Sequence, residues 1–175
     1  MEDPLRLPIQ ELTSAWDAAQ RIREAETLDQ FNAEWAAVLN HIEKLWVKTG
    51  LACSAEKAGF PNWNNPWVNL RKSDPLLCYL IQARHADNHS VQYLSSQVVG
   101  HLLFDPEGRM GFKMLDSPEL AIDQVINRGV KYPTPDSHLG QPLNTRDPRV
   151  LSVHACNFYA EYLMQARRSF LGIAP

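Results

Sequence analysis

Arg84-His85-Ala86-Asp87-Asn88-His89 gathers a guanidinium, two imidazoles, a carboxylate and an amide into six residues. The cluster comes late in an apolar stretch, Leu76-Leu77-Cys78-Tyr79-Leu80-Ile81, where desolvating an arginine and two histidines is costly unless they are paired or used. On a helical wheel Leu77, Leu80, Ile81, Arg84, Asn88 and Val91 follow one another at steps of three and four, so Arg84 and Asn88 continue the apolar stripe. The stripe predicts either a buried arginine held by a carboxylate such as Asp87, or a polar cleft opening at the end of a packed face. His85 and His89 also have the i, i+4 spacing of a helical two-histidine metal site. It has no Glu at the second position, and its third ligand would have to be an Asp, His101 or His138.

An Arg, four intervening residues and a His, with a polar side chain directly after the Arg, resembles the signature of the HEPN superfamily, here Arg84, His85 and His89. The resemblance implies a helical domain, and for many of its members a metal-independent ribonuclease or toxin that works as a homodimer, two motif helices meeting in a composite site. It assigns proton transfer to His89, because an imidazole titrates near neutral pH. It assigns the crowded phosphorane to Arg84, whose planar fork matches phosphate oxygens. His85, Asp87 and Asn88 would support the imidazole or hold the nucleotide. Cleavage of this kind uses the ribose 2′-hydroxyl and leaves 2′,3′-cyclic phosphate and 5′-hydroxyl ends. The chain differs from the family in placing a ribbon and further helices after the motif.

The elements that must position this cluster are marked by their starts. Asp74-Pro75, Ser117-Pro118 and Asp147-Pro148 each put a capping side chain before a proline suited to a first helical turn. Thr27 with Gln30 resembles a capping box. Helices are expected at about 8–26, 28–49, 75–96, 118–128 and 148–171, the second carrying Phe31, Trp35, Val38, Leu39, Ile42, Leu45 and Trp46 on one face and stopping at Gly50. Between the third and fourth, Val98-Val99-Gly100-His101-Leu102-Leu103-Phe104 and Met110-Gly111-Phe112-Lys113-Met114 read as a β-hairpin around Asp105-Pro106-Glu107-Gly108. Residues 52–73 and 129–147 read as irregular. In the first of these, Trp63 and Trp67 are either hydrophobic anchors or, with Arg71 and Lys72, a surface that stacks bases and contacts phosphate. The expected fold is mainly α: a helical bundle of HEPN-like type over residues 1–175, with a small β-hairpin insertion after the motif helix.

Composition narrows the setting. A chain of 175 residues with 45% hydrophobic content can bury one core, and a net charge of −3 excludes a broad electrostatic grip on nucleic acid. Residues 1–50 hold nine acids against five bases, whereas 51–100 hold four bases (Lys57, Arg71, Lys72, Arg84) against three acids, leaving room for a local basic site. Cys53, Cys78 and Cys156 are odd in number and far apart, which argues against a disulfide framework or a thiolate zinc site. With an acidic start and no long apolar run, a cytoplasmic chain without membrane or cofactor is expected. His41 and His154 read as packing or surface residues, and His138 as a loop residue that bonds locally or reaches the cleft. Two functions remain open: a ribonuclease acting on RNA, with an antitoxin partner in a toxin setting, or a catalytically silent dimeric binding module.

Overall fold

Helices dominate the described chain, and capping residues legible in the sequence start three of them. In the computed structural model, residues 3–56, 59–89, 95–104 and 110–171 are described, of which 55–56, 87–89, 95–104, 110–120 and 171 by backbone alone. The helices are α1 (Arg6–Glu24), α2 (Leu28–Glu56), α3 (Phe60–Ser73), α4 (Pro75–His89) and α5 (Pro148–Ala166), the last continued by a π-helical turn at Arg167–Leu171. The capping box forms as expected: Gln30 N donates to Thr27 Oγ1 and Thr27 N to Gln30 Oε1, both at 3.2 Å. Asp147 caps α5, accepting from Arg149 N at 2.8 Å, with Pro148 in the first turn.

The core lies between α1, α2, α4 and α5. Ala15, Ala18 and Ile22 of α1 meet Phe31, Trp35, Val38, Leu39, Ile42 and Leu45 of α2, all buried. Small residues on α1 let the two helices approach, and the bulky α2 stripe fills the space beyond. A polar tie reinforces this pair on its outer side, where Glu11 receives His41 Nδ1 at 2.6 Å and Lys48 Nζ at 2.5 Å. Burial alone would raise the Glu11 carboxyl, but the Lys48 and His41 hydrogen bonds outweigh it and the net shift is downward.

Four sequence expectations are corrected here. First, α2 runs through Gly50 to Glu56, because Cys53 is buried beyond the glycine and gives the helix a reason to continue. Second, the stretch read as irregular holds α3. Pro61 falls in its first turn, where no amide donor is needed, and Phe60, Trp63 and Trp67 lie on one face. Third, Ser95 and Ser96, expected inside the motif helix, pair as strand, and the described part of that helix is Pro75–His89. Fourth, no helix follows Ser117-Pro118. β2 (Met110–Ile122) occupies that place, antiparallel to β1 (Ser95–Phe104). Their register breaks between Val98 and Gly100, opposite residues 115–118, where Pro118 has no amide to donate. Helix propensity in the following Glu-Leu-Ala stretch yields to pairing and to the burial of Ala121 and Ile122. Two small hairpins complete the described chain: β3 (Val125–Asn127) with β4 (Val130–Tyr132), and β5 (Ser137–His138) with β6 (Gln141–Pro142), both packed beside α4.

α3 is fixed to the body by a cation. Arg71 is 7% exposed, pairs with Glu43 of α2, and donates Nε–H to the Tyr159 hydroxyl of α5 at 3.0 Å. Its guanidinium carbon sits 4.2 Å from the centre of the Trp46 ring. Around it Tyr162 meets Trp46, Trp63 and Trp67 with ring centroids 4.6–5.6 Å apart, an aromatic layer shared by α2, α3 and α5. Glu43→Leu removes the carboxylate and strands an enclosed guanidinium, so it is expected to cost about 3 kcal/mol in urea unfolding. The double variant Glu43→Leu with Arg71→Met should recover most of that loss. A single variant within about 0.5 kcal/mol of wild type, the spread of ordinary surface substitutions, would show that the ring contacts alone hold Arg71.

Candidate functional site

α4 presents chemistry at both ends. Its buried face is Leu76, Leu77, Tyr79, Leu80, Ala83 and Ala86, so the face is rotated slightly from the expected stripe. Leu77 and Leu80 are buried as expected, whereas Ile81 and Arg84 lie on the flank, half-buried. Asn88 has only its backbone described, and Val91 lies outside the described residues.

At the C-terminal end, Gln82 and His85 face the β3–β4 hairpin. Together with Asn127, Arg128, Val130 and Tyr132 they line a hollow of about 330 Å³. The hairpin is placed by side chains of α4: Asn127 Nδ2 donates to Gln82 Oε1 at 2.7 Å, and the Tyr79 hydroxyl donates to the carbonyl of Asp123 at 2.7 Å. Burial pushes the Tyr79 phenol upward, with the nearby Asp123 charge adding to the shift, so it stays a donor. The tip residues Arg128 and Gly129 have φ of 50° and 78°, the two left-handed positions of a two-residue hairpin turn. That turn puts an exposed guanidinium at the mouth of the hollow.

Of the residues singled out in the sequence, Arg84 and His85 are thus placed on α4, His85 in the hollow. Asp87, Asn88 and His89 belong to the α4 backbone, and their side chains lie outside the described residues. By helical spacing residue 89 shares the His85 face, while Arg84 leads that face by about 100° per residue. His101 has only its backbone described, in β1. Arg71 and Lys72 are not neighbours in function: Lys72 is exposed, and Arg71 is committed inside the bundle. Among the described residues no three of His, Cys, Asp and Glu stand close enough together to hold a metal ion. None of the described helices is long and apolar enough to cross a membrane.

The N-terminal end of α4 holds a buried polar pair that the sequence argument passed over. Asp74, 6% exposed, caps α4 by accepting from Leu77 N at 3.0 Å. The same carboxylate accepts from Leu139 N at 2.6 Å and meets His138 Nδ1 at 3.0 Å. Leu139 and Gly140, with φ of 50° and 77°, form the β5–β6 turn that aims this amide at Asp74. Burial by itself would raise the Asp74 carboxyl, but His138 and the two amides more than offset it and hold it low. A low-shifted carboxylate contributes stability above its ordinary titration range, lost as pH falls through the folded value. The signal in the sequence was Asp74-Pro75 read as a cap alone; nothing local in it shows a partner 64 residues away.

No protein-family model matches the chain, no curated protein matches it, and no solved structure matches its fold. The HEPN resemblance therefore rests on Arg84, His85 and His89 alone. Asp74→Asn keeps a capping oxygen but loses the charge, so wild type should exceed it in stability at pH 7. The gap should shrink as pH falls below about 4, the ordinary carboxylate range. Urea midpoints of both proteins at pH 7 and pH 3 measure this, and an equal gap at the two values would discard the ionised carboxylate as its source.

Proposed function

We propose that the chain is a metal-independent endoribonuclease of HEPN type, acting at the C-terminal end of α4. The observation that carries this is the hollow on the His85 face, which sets an exposed Arg128, a tyrosine ring and two carboxamides beside the Arg84–His89 motif. Arg128 suits a phosphate, Tyr132 offers a face to a base, and Gln82 with Asn127 offers donors and acceptors for a base edge. Cleavage runs by attack of the ribose 2′-oxygen on the adjacent phosphorus, forming that bond as the bond to the 5′-oxygen breaks. The 2′-hydroxyl proton passes to His89, and a proton is returned to the departing 5′-oxygen. Arg84 offsets the charge on the pentavalent phosphorus. A second copy of the chain would supply the facing motif helix, as the family resemblance implies, and a toxin-type setting would add an antitoxin partner.

A second reading, a silent binding or assembly module, is favoured by one fact: Arg71, one of four bases in residues 51–100, is spent inside the bundle of a chain with net charge −3. Activity separates the two. Purified protein incubated with total RNA should cut it in the presence of EDTA and leave cyclic-phosphate ends. His89→Ala should abolish cleavage with the fold intact, and Arg84→Lys should lower it by about 100-fold, the scale of losing one positioned donor. Arg128→Ala should weaken RNA binding and leave the melting temperature unchanged. RNA left intact by wild type, or cut as well by His89→Ala, would hand the chain to the binding-module reading.

A further inference from the structure

Away from α4, the start of α1 and the last turns of α5 enclose a cavity of about 360 Å³. Helical spacing builds both walls. On α5, Ala160, Leu163, Met164, Arg167 and Arg168 recur at steps of three and four, so one stripe faces the cavity. At the start of α1, Leu5 and Ile9 are four apart and joined by the Ile9 N to Leu5 O hydrogen bond at 2.9 Å. Leu5 and Leu163 are buried at the floor, while Ala160 is half-buried and ends at Cβ, which leaves the space above it unfilled. The volume falls at the lower end of the range for small-molecule sites, about 300–1,000 Å³. Apart from Arg167 and Arg168 the lining is apolar, and no acid belongs to it.

The two arginines are underused. Arg167 reaches Asp3 Oδ2 at 3.3 Å, and its buried Nε–H meets no acceptor among the described residues. Asp3 is itself shared, since its Oδ1 accepts from Leu5 N at 2.9 Å. Arg168 is exposed, and among the described residues its hydrogen bond goes to Met164 Sδ at 3.6 Å, a weak acceptor. Each guanidinium keeps its charge and carries five N–H donors, so the pair holds more of both than one carboxylate satisfies. An apolar hollow rimmed by such cations fits a molecule with a hydrocarbon body and one anionic head. A plain hydrocarbon would leave the donors idle, and a bare anion would leave the apolar wall wet. A partner helix needs a groove that takes anchors over two turns or more, whereas this volume suits one alkyl chain. None of these residues belongs to α4 or to the β3–β4 hairpin, so the site does not depend on the ribonuclease reading.

We propose that this cavity binds a single-chain carboxylate of the fatty-acid class, its alkyl chain against Leu5, Ile9, Ala160 and Leu163 and its head between Arg167 and Arg168. Full-length protein is titrated by calorimetry with hexanoate, octanoate and decanoate, and with 1-octanol and acetate for comparison. Expected are one molecule per chain and an affinity that rises about fourfold for each methylene buried. Acetate should not bind, and 1-octanol should bind about fivefold more weakly than octanoate, the scale of one rim ion pair. Arg168→Gln should weaken octanoate by the same factor and leave 1-octanol unchanged. Ala160→Leu fills the hollow from a half-buried position and should abolish binding of both, its melting temperature reporting that the fold is kept. Arg168 is exposed, so its variant tests the site even where Ala160→Leu fails to fold. Absence of saturable binding overturns the proposal. So does octanoate bound no better than 1-octanol, which would make the cavity an unselective apolar crevice. Unchanged affinity in a folded Ala160→Leu also overturns it, by placing the ligand elsewhere. Sedimentation with anionic lipid vesicles in the absence of octanoate binding does so too, because the arginines would then meet a membrane surface.

Discussion

The guanidinium of Arg71 is the constraint on which the helical body depends. A cation with 7% exposure is tolerated only when its charge, donors and face find partners, and here they find them on two other helices. Glu43 and Trp46 come from α2 and Tyr159 from α5, while Arg71 itself belongs to α3. Tyr159 shows the other side of the bargain: its burial raises the phenol pKa although Arg71 opposes the shift. The same contacts fix where α3 ends. Asp74 follows three residues later, so the position of Arg71 sets where α4 begins and hence the direction in which the motif helix leaves the bundle.

How much of this could be read in advance follows from how local each cause is. Caps and apolar stripes act within a few residues, and Thr27, Gln30, Asp74, Asp147 and the α2 stripe were legible for that reason. α3 was hidden because Gly59, Pro61, Pro66 and four asparagines look like loop chemistry, while the aromatic layer that overrides them is assembled from three helices. Ser117-Pro118 carried a helix signal as good as that of Asp147-Pro148. What separates them is strand pairing with residues about twenty positions earlier, which no local window contains.

The candidate sites divide in the same way. His85 was visible because it sits in a dense polar cluster, and the structure adds Gln82, Asn127, Arg128 and Tyr132 around it. Arg71 had the same surface signature as a phosphate contact, an adjacent Lys and nearby tryptophans, yet the ring that covers it is Trp46, from another helix. His138 stood alone in sequence and gained significance only when β5 met Asp74. A solitary polar residue carries no spacing to interpret, so distant pairs of this kind escape any argument from pattern.

Neither β3–β4 nor β5–β6 is long enough to be stable by itself; at three and two residues per strand each exists as a lodger on α4. The hollow beside His85 is therefore walled on one side by structure that the helix must first provide. If α4 unfolds, both hairpins lose their support, since Asn127 bonds to Gln82 and the Leu139 amide to Asp74 at the start of the helix. A fifteen-residue helix thereby serves as the common footing of two hairpins that could not stand alone.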